Sequence, residues 1–177
     1  MKRIAIIGSS GGNLYMQGGN DPKALLREIF TQAGSAGIEV GFVEFIGASR
    51  SMDNIPADAP AKLYTLDENG GVVTGEEKPL NAVNEDAKAV DAQLAQKIAN
   101  GEIDGIVLMS SDPKGINEAS LTAAAAKKLP CVGTGGTSMG HCQKMGCNVI
   151  SASGTTGTTN RTRAVAFISA LAKEWKI

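Results

Sequence analysis

Short apolar runs, each followed by a loop rich in Gly, Ser and Thr, limit what this chain can fold into. Loops of this kind occupy 8–13, 110–115, 133–138 and 153–163. A short strand that is apolar throughout is typical of a parallel sheet covered on both faces, and parallel strands need helical crossovers between them. The pattern therefore predicts an α/β fold in which strands and helices alternate.

The alternation can be followed along the chain. Apolar runs predict strands, and 3.6-residue periodicity predicts helices, the first of them capped by Asp21 and ending near Gly34 or Gly37. The predicted strands are 3–8, 38–46, 104–109, 130–134 and 148–151, and the other predicted helices are 85–100, 115–128, 137–145 and 158–175. This order predicts a doubly wound, mainly parallel five-stranded sheet, Rossmann-like or flavodoxin-like.

One segment, 47–83, interrupts this alternation. Asn69 and Gly70 lie between apolar positions on either side, which is a strong signal for the turn of a β-hairpin. We expect a small hairpin excursion within a single domain that spans 1–177, a length that allows one independent core.

Composition excludes several classes of protein. The net charge is −1 without a basic run, which argues against a nucleic-acid partner. No apolar stretch reaches the ~20 residues of a membrane helix, and three cysteines are too few for a secreted disulfide framework. The expected setting is the reducing cytoplasm.

The Gly-, Ser- and Thr-rich loops all follow strand ends, so the predicted fold gathers them at the carboxyl edge of the sheet, where open α/β sheets bind ligands. Backbone amides at strand-to-helix turns bind anions, and hydroxyl and cationic side chains add donors, so we expect a phosphorylated small molecule there. Either Arg161 or Arg163, at the start of the last helix, is suited to pair with such an anion. The candidate ligand-binding residues are Gly8, Ser9, Ser10, Gly11, Asn13, Asp21, Lys23, Ser110, Ser111, Lys114, Gly135, Gly136, Thr137, Ser138, Ser153, Gly154, Thr155, Thr156, Asn160 and Arg161.

Two residues are candidates for catalysis. Asp112 is suited to orient a hydroxyl or hold Mg²⁺, or simply to cap a helix. His141 is the single histidine and is a candidate for acid–base chemistry. A zinc site would need His141 together with all three cysteines, so the sequence favours buried, hydrophobic cysteines and no protein-bound metal.

The runs IDGIVLMSSDPKG, LTAAAAKKLPCVGTGGTS and NVISASGTTGTTNRTRAVA resemble the N-terminal half of the tomato mosaic virus resistance protein-like family. Residues 21–23 are similar to that family's Asp-Thr-Lys motif, 159–161 to its Leu-Asn-Arg motif, and 110–115 take the place of its glycine-rich third loop. The resemblance implies a Rossmann-like domain that binds ATP, together with Mg²⁺. The family's barrel-like C-terminal half has no counterpart here, which implies a separate barrel-like partner subunit.

Three functions stay open on the sequence. The first is binding of ATP or another phosphorylated small molecule. The second is an enzyme that acts on a sugar phosphate or a phosphorylated acid through Asp112 or His141. The third is an interaction subunit, either in a homo-oligomer or in an assembly with the barrel-like partner.

Overall fold

A computed structural model describes residues 1–9, 23–48, 56–109, 115–134, 136–152 and 159–177. The strands are β1 (Arg3–Ser9), β2 (Glu39–Ala48), β3 (Pro60–Leu66), β4 (Val72–Thr74), β5 (Lys78–Pro79), β6 (Gly105–Met109), β7 (Pro130–Thr134) and β8 (Asn148–Val149). The helices are α1 (Lys23–Ser35), α2 (Leu80–Ala99), α3 (Glu118–Lys127), α4 (Gly136–Lys144) and α5 (Asn160–Trp175).

The strands form one open, mixed sheet in the order β4-β3-β2-β1-β6-β7-β8, with β5 paired to β3. Strands β1, β2, β6, β7 and β8 are parallel, whereas β3 is antiparallel to β2, β4 and β5. The α/β class is therefore confirmed, and the expectation of a five-stranded sheet is wrong, because the described residues contain eight strands.

The predicted hairpin accounts for part of this difference. It is present as β3 and β4, and Asp67 Oδ1 accepts hydrogen bonds from the N–H groups of Asn69 and Gly71 across the turn. Strand β3 of this hairpin pairs with the last five residues of β2, from Glu44 to Ala48. Ala61 and Tyr64 of β3 are consequently buried against helices on the two faces of the sheet.

Helices cover both faces of the sheet. Alternate residues of β1 point to opposite sides, so Ile4 and Ile6 pack with α1 and α5, and Ile7 packs with α2, α3 and α4. The helices bury the apolar stripes that their 3.6-residue periodicity predicted, such as Leu25 and Ile29 of α1. The core is mainly aliphatic, as the low aromatic content implies.

One helix begins earlier than its sequence pattern predicts. Helix α2 starts at Leu80 rather than at residue 85, and its N-cap residue, Pro79, provides no side-chain hydrogen bond. The N–H groups of Leu80 and Asn81 instead donate to the carbonyl oxygens of Ala59 and Ala57, both at 2.8 Å. These acceptors lie more than twenty positions away in the chain, so local sequence carries no signal for this helix start.

The directions of α1 and α5 decide which residues lie near the carboxyl edge. The ring of Trp175, at the end of α5, packs against Gly105 at the start of β6 and lies 5.6 Å from the Lys2 ammonium. The turn after α1 also lies beside Lys2, in a surface pocket at the amino edge of the strands. Both helices therefore run back along the sheet, and their first residues, Lys23 and Asn160, lie at the carboxyl edge.

Candidate functional site

The candidate ligand-binding residues divide between the described part of the chain and the rest. The structure describes Gly8, Ser9, Lys23, Ser138, Asn160 and Arg161, the backbone of Gly136 and Thr137, and the catalytic candidate His141. The other ligand-binding candidates lie outside the described residues, as does the catalytic candidate Asp112: Ser10, Gly11, Asn13, Asp21, Ser110, Ser111, Lys114, Gly135, Ser153, Gly154, Thr155 and Thr156. The described candidates come from four elements, β1, α1, α4 and α5, and all except His141 belong to a strand end or the first turn of a helix.

Gly8 has a structural role at the end of β1. Its φ is +121°, a value that side chains rarely allow, and a Cβ atom there would overlap the backbone carbonyl of Met109 in β6. Gly133 of β7 approaches β6 from the other side, where a Cβ atom would overlap the carbonyl of Leu108. The two glycines therefore let β1 and β7 approach β6 closely at the carboxyl edge.

Lys23 places an ammonium group at the start of α1, near the added hairpin. Its Nζ lies 3.5 Å from Thr74 Oγ1 of β4. Lys23 also lines a surface pocket of about 380 Å³ between α1 and β4, whose other walls include Phe30 and Val72. The hairpin thus reaches the same side of the edge as the first turn of α1.

The first turn of α5 contains the most deeply buried cation of the described residues. Arg163 is fully buried, and its guanidinium donates to Asn160 Oδ1 at 3.2 Å, with Asn160 itself buried. Arg161, the arginine selected among the candidates from sequence, is exposed. Arg163 occupies the same helix face as Phe167 and Leu171, at spacings of four residues. That spacing is the sequence signal that distinguishes the two arginines.

The start of α5 is fixed by Thr159, whose Oγ1 accepts the N–H of Thr162 at 3.2 Å. We expect Thr159→Ala to lower the free energy of unfolding by about 1 kcal/mol, because that N–H loses its capping partner. Urea denaturation followed by circular dichroism measures the change. Thr122→Ala, at an exposed position inside α3, is the matched control and should be neutral or slightly stabilising. Equal losses in the two variants would contradict a capping role.

Sequence reasoning missed a buried polar group that we call the Glu44 cluster, composed of Glu44, Asp91, Asn117 and Ser120. Asn117 Nδ2 donates to Glu44 Oε2 at 2.6 Å and to Asp91 Oδ1 at 3.2 Å. Ser120 donates to Asp91 through its hydroxyl at 2.6 Å and through its N–H at 3.0 Å. All four residues are buried, and the cluster joins β2, α2 and the start of α3.

Electrostatics in the cluster favour a neutral Glu44. Burial, reinforced by the nearby Asp91 carboxylate and only partly offset by the Asn117 amide, raises the pKa of Glu44 from 4.5 to about 10. Asp91 accepts three hydrogen bonds, whereas Glu44 accepts one. Glu44 Oε1 is buried and has no hydrogen-bond partner among the described residues.

The cluster lies just beneath the carboxyl edge. Glu44 pairs with Ile7, two residues before the end of β1, and Asn117 immediately precedes α3. The one sequence signal for the cluster is an acidic residue inside the otherwise apolar second half of β2. The partners of Glu44 are 47 to 76 positions further along the chain, so no local pattern connects them.

His141 and the cysteines lie apart from the edge residues just described. His141 is half-buried near the middle of α4, and Cys131, Cys142 and Cys147 are buried free thiols on the face covered by α2, α3 and α4. The burial agrees with the prediction that the cysteines act as small hydrophobic residues in the core. Within the described residues, no group of three His, Cys, Asp or Glu side chains has the geometry to hold a metal ion.

None of the described helices combines the length and apolar character that crossing a bilayer requires. The fold and the geometry of the edge were then compared with known proteins at three levels: family models, curated sequences and solved structures. No family model, no curated protein and no solved structure matches this chain.

Proposed function

We propose that this protein binds a phosphorylated small molecule at the carboxyl edge of its sheet, and that the ligand is ATP. The observation that carries the proposal is Arg163, a fully buried guanidinium in the first turn of α5 at that edge. The planar fork of a guanidinium matches the oxygens of a phosphate. Lys23 adds a second cation at the start of α1 on the same face of the sheet.

The strand order supports this location. The five parallel strands follow the spatial order β2-β1-β6-β7-β8, which is the doubly wound order of flavodoxin-like folds. In such folds the order reverses between the first strand and its inner neighbour, here β1 and β6, and ligands bind outside the carboxyl ends at that point. On this basis we assign the five parallel strands to the flavodoxin-like class, with β3, β4 and β5 as an antiparallel extension.

The donor set at the edge fits a nucleoside triphosphate. Besides its two cations, the edge has the Asn160 amide and the hydroxyls of Ser9 and Ser138, all suited to phosphoryl oxygens. ATP is the ligand that the resemblance to the tomato mosaic virus resistance protein-like family implies. Mg²⁺ would accompany ATP, bound to its phosphate oxygens.

Thermal denaturation with added ligands tests the proposal. The full chain is heated with ATP, ADP, phosphoenolpyruvate, glucose 6-phosphate or inorganic phosphate, each with and without Mg²⁺. A ligand at a hundred times its dissociation constant stabilises the folded state by about 2.7 kcal/mol, which gives a rise in Tm of several degrees. A rise that is largest with ATP supports the proposal. No rise with any phosphorylated compound at millimolar concentration would contradict it.

Substitutions at the two arginines locate the site. We expect Arg163→Lys to weaken ATP binding at least about tenfold, because an ammonium cannot form the bidentate contact of a guanidinium. Arg161→Gln, which changes the exposed arginine of the same turn, is the matched control and should keep the wild-type dissociation constant within about twofold. Isothermal titration calorimetry measures both constants.

A third variant covers the case in which Arg163→Lys does not fold. Lys23→Gln removes the other cation of the edge at a half-buried position and should also weaken ATP binding about tenfold. If only Arg161→Gln binds ATP more weakly, and Arg163→Lys and Lys23→Gln keep the wild-type dissociation constant, the ligand binds on the exposed side of α5 instead.

A further inference from the structure

All three cysteines of the chain meet at one place, which we call the cysteine cluster. Cys131 lies in β7, Cys142 near the end of α4, and Cys147 directly before β8. Cys131 and Cys142 are fully buried, and Cys147 is 7% exposed. The cluster lies on the face covered by α2, α3 and α4, whereas Arg163 and Lys23, the two cations of the proposed ligand site, belong to helices on the opposite face.

Cys147 is the centre of the cluster. Its thiol donates to the carbonyl oxygen of Leu121 at 3.5 Å, and its side chain also contacts those of Cys131 and Cys142. These contacts, first the one from Cys131 and then the one from Cys142, lower the pKa of Cys147, while the pKa values of the two neighbouring thiols are raised. Cys147 is also the most exposed of the three, so it is the sulfur that can react first as a thiolate.

The backbone determines which neighbour can join Cys147. The N–H of Cys147 donates to the carbonyl oxygen of Cys142 at 3.0 Å, closing the turn at the end of α4. By contrast, Asn148 lies opposite Pro130 in the β7–β8 pair, so Cys147 and Cys131 are offset by two positions along the strands, about 6.6 Å. A disulfide needs Cα atoms about 4.4–6.8 Å apart. The distance between the two strands adds to the offset along them, so the Cα atoms of Cys131 and Cys147 are too far apart. The geometry therefore favours Cys142.

We propose that Cys142 and Cys147 are a reversible oxidation site, converted to a disulfide by hydrogen peroxide. The Cys147 thiolate attacks one peroxide oxygen, the O–O bond breaks, and hydroxide leaves and is protonated to water. The sulfur of Cys142 then attacks the resulting sulfenic acid of Cys147, the S–O bond breaks, and a second water leaves with the Cys142 proton. Two thiols are oxidised by two electrons and one peroxide is reduced. A small dithiol reverses the step by thiol–disulfide exchange.

The test oxidises the folded, full-length chain with hydrogen peroxide and counts free thiols by alkylation and mass spectrometry. We expect the count to fall from three to one, with the far-ultraviolet circular dichroism unchanged, and to return to three with dithiothreitol. Trypsin cuts after Lys128, Lys144 and Arg161, so the disulfide should link peptide 129–144 to peptide 145–161. Three remaining thiols in the folded, peroxide-treated chain would overturn the proposal.

Single variants identify the partner of Cys147. Cys131→Ala should keep the link between the two peptides and lose both of its remaining thiols, because Cys142 and Cys147 alone suffice. Cys142→Ala should lose the link. A link that persists in Cys142→Ala would assign the disulfide to Cys131 and Cys147 and refute the proposed pair. The Cys131→Ala variant decides the question alone if Cys142→Ala does not fold, since only the proposed pair is left in it.

Discussion

Gly8→Ala is expected to cost more than about 4 kcal/mol of stability, or to prevent the chain from folding. The new Cβ atom would overlap the backbone carbonyl of Met109, at a residue whose φ of +121° already disfavours any side chain. Met109 belongs to β6, which lies between β1 and β7, so its backbone cannot move aside without breaking strand pairing. Urea denaturation of the purified variant, or its recovery only as insoluble protein, reports the effect.

Gly34→Ala is the matched control for this prediction. Gly34 lies in α1, and a Cβ atom there meets nothing within 4 Å. Alanine is the better helix former, so this variant should match the wild type or gain up to about 1 kcal/mol. A Gly8→Ala variant that unfolds at the same urea concentration as Gly34→Ala would show that β1 and β6 do not approach as closely as the structure has them.

Glu44→Gln is expected to remove a large pH dependence of stability. The pKa of Glu44 is raised from 4.5 to about 10 in the folded chain, so between these values the folded state holds a proton that the unfolded state releases. Stability therefore falls as pH rises through this range, with a slope of up to about 1.4 kcal/mol per pH unit from this one group. Glutamine is neutral at every pH and can offer its carbonyl to Asn117 and its amide N–H groups to Asp91.

The measurement is urea denaturation at several pH values between about 6 and about 9. The stability of Glu44→Gln relative to wild type should increase steadily with pH, and the variant should be the more stable protein at the alkaline end. Glu68→Gln, at an exposed position after β3, is the control and should follow the wild-type pH profile. Parallel profiles for wild type and Glu44→Gln would mean that Glu44 is ionised in the folded state.

The elements that sequence predicted well are those with a local cause. The apolar runs that became β1 and β6 predict strands because a strand covered on both faces seldom carries polar residues. The hairpin turn at Asn69 and Gly70 was predictable because a tight hairpin turn requires a positive φ, which glycine adopts readily. Gly70 has a φ of +82° in the structure. The ligand site was placed at the carboxyl edge by the same reasoning, since each candidate loop follows a strand, and that placement stays a prediction.

Other features depend on residues that are distant in sequence. The addition of β3 to the free edge of β2 was not predictable. Either strand of a hairpin can pair with a sheet, and the hairpin sequence does not specify which strand of the sheet it joins. The start of α2 is fixed by carbonyl groups of residues 57 and 59, outside any helical pattern. For the same reason the predicted boundary of α2 was wrong, although the helix itself was correctly expected.

By itself, the sequence determined the α/β class, the succession of parallel strands and helices, and the turn between β3 and β4, because apolar periodicity and turn residues act over a few neighbouring positions. Only the tertiary structure decided that Glu44 shares an interior with Asp91 and that the three cysteines meet. The burial and ionisation of a side chain depend on the groups that packing brings around it, and here those groups come from separate strands and helices.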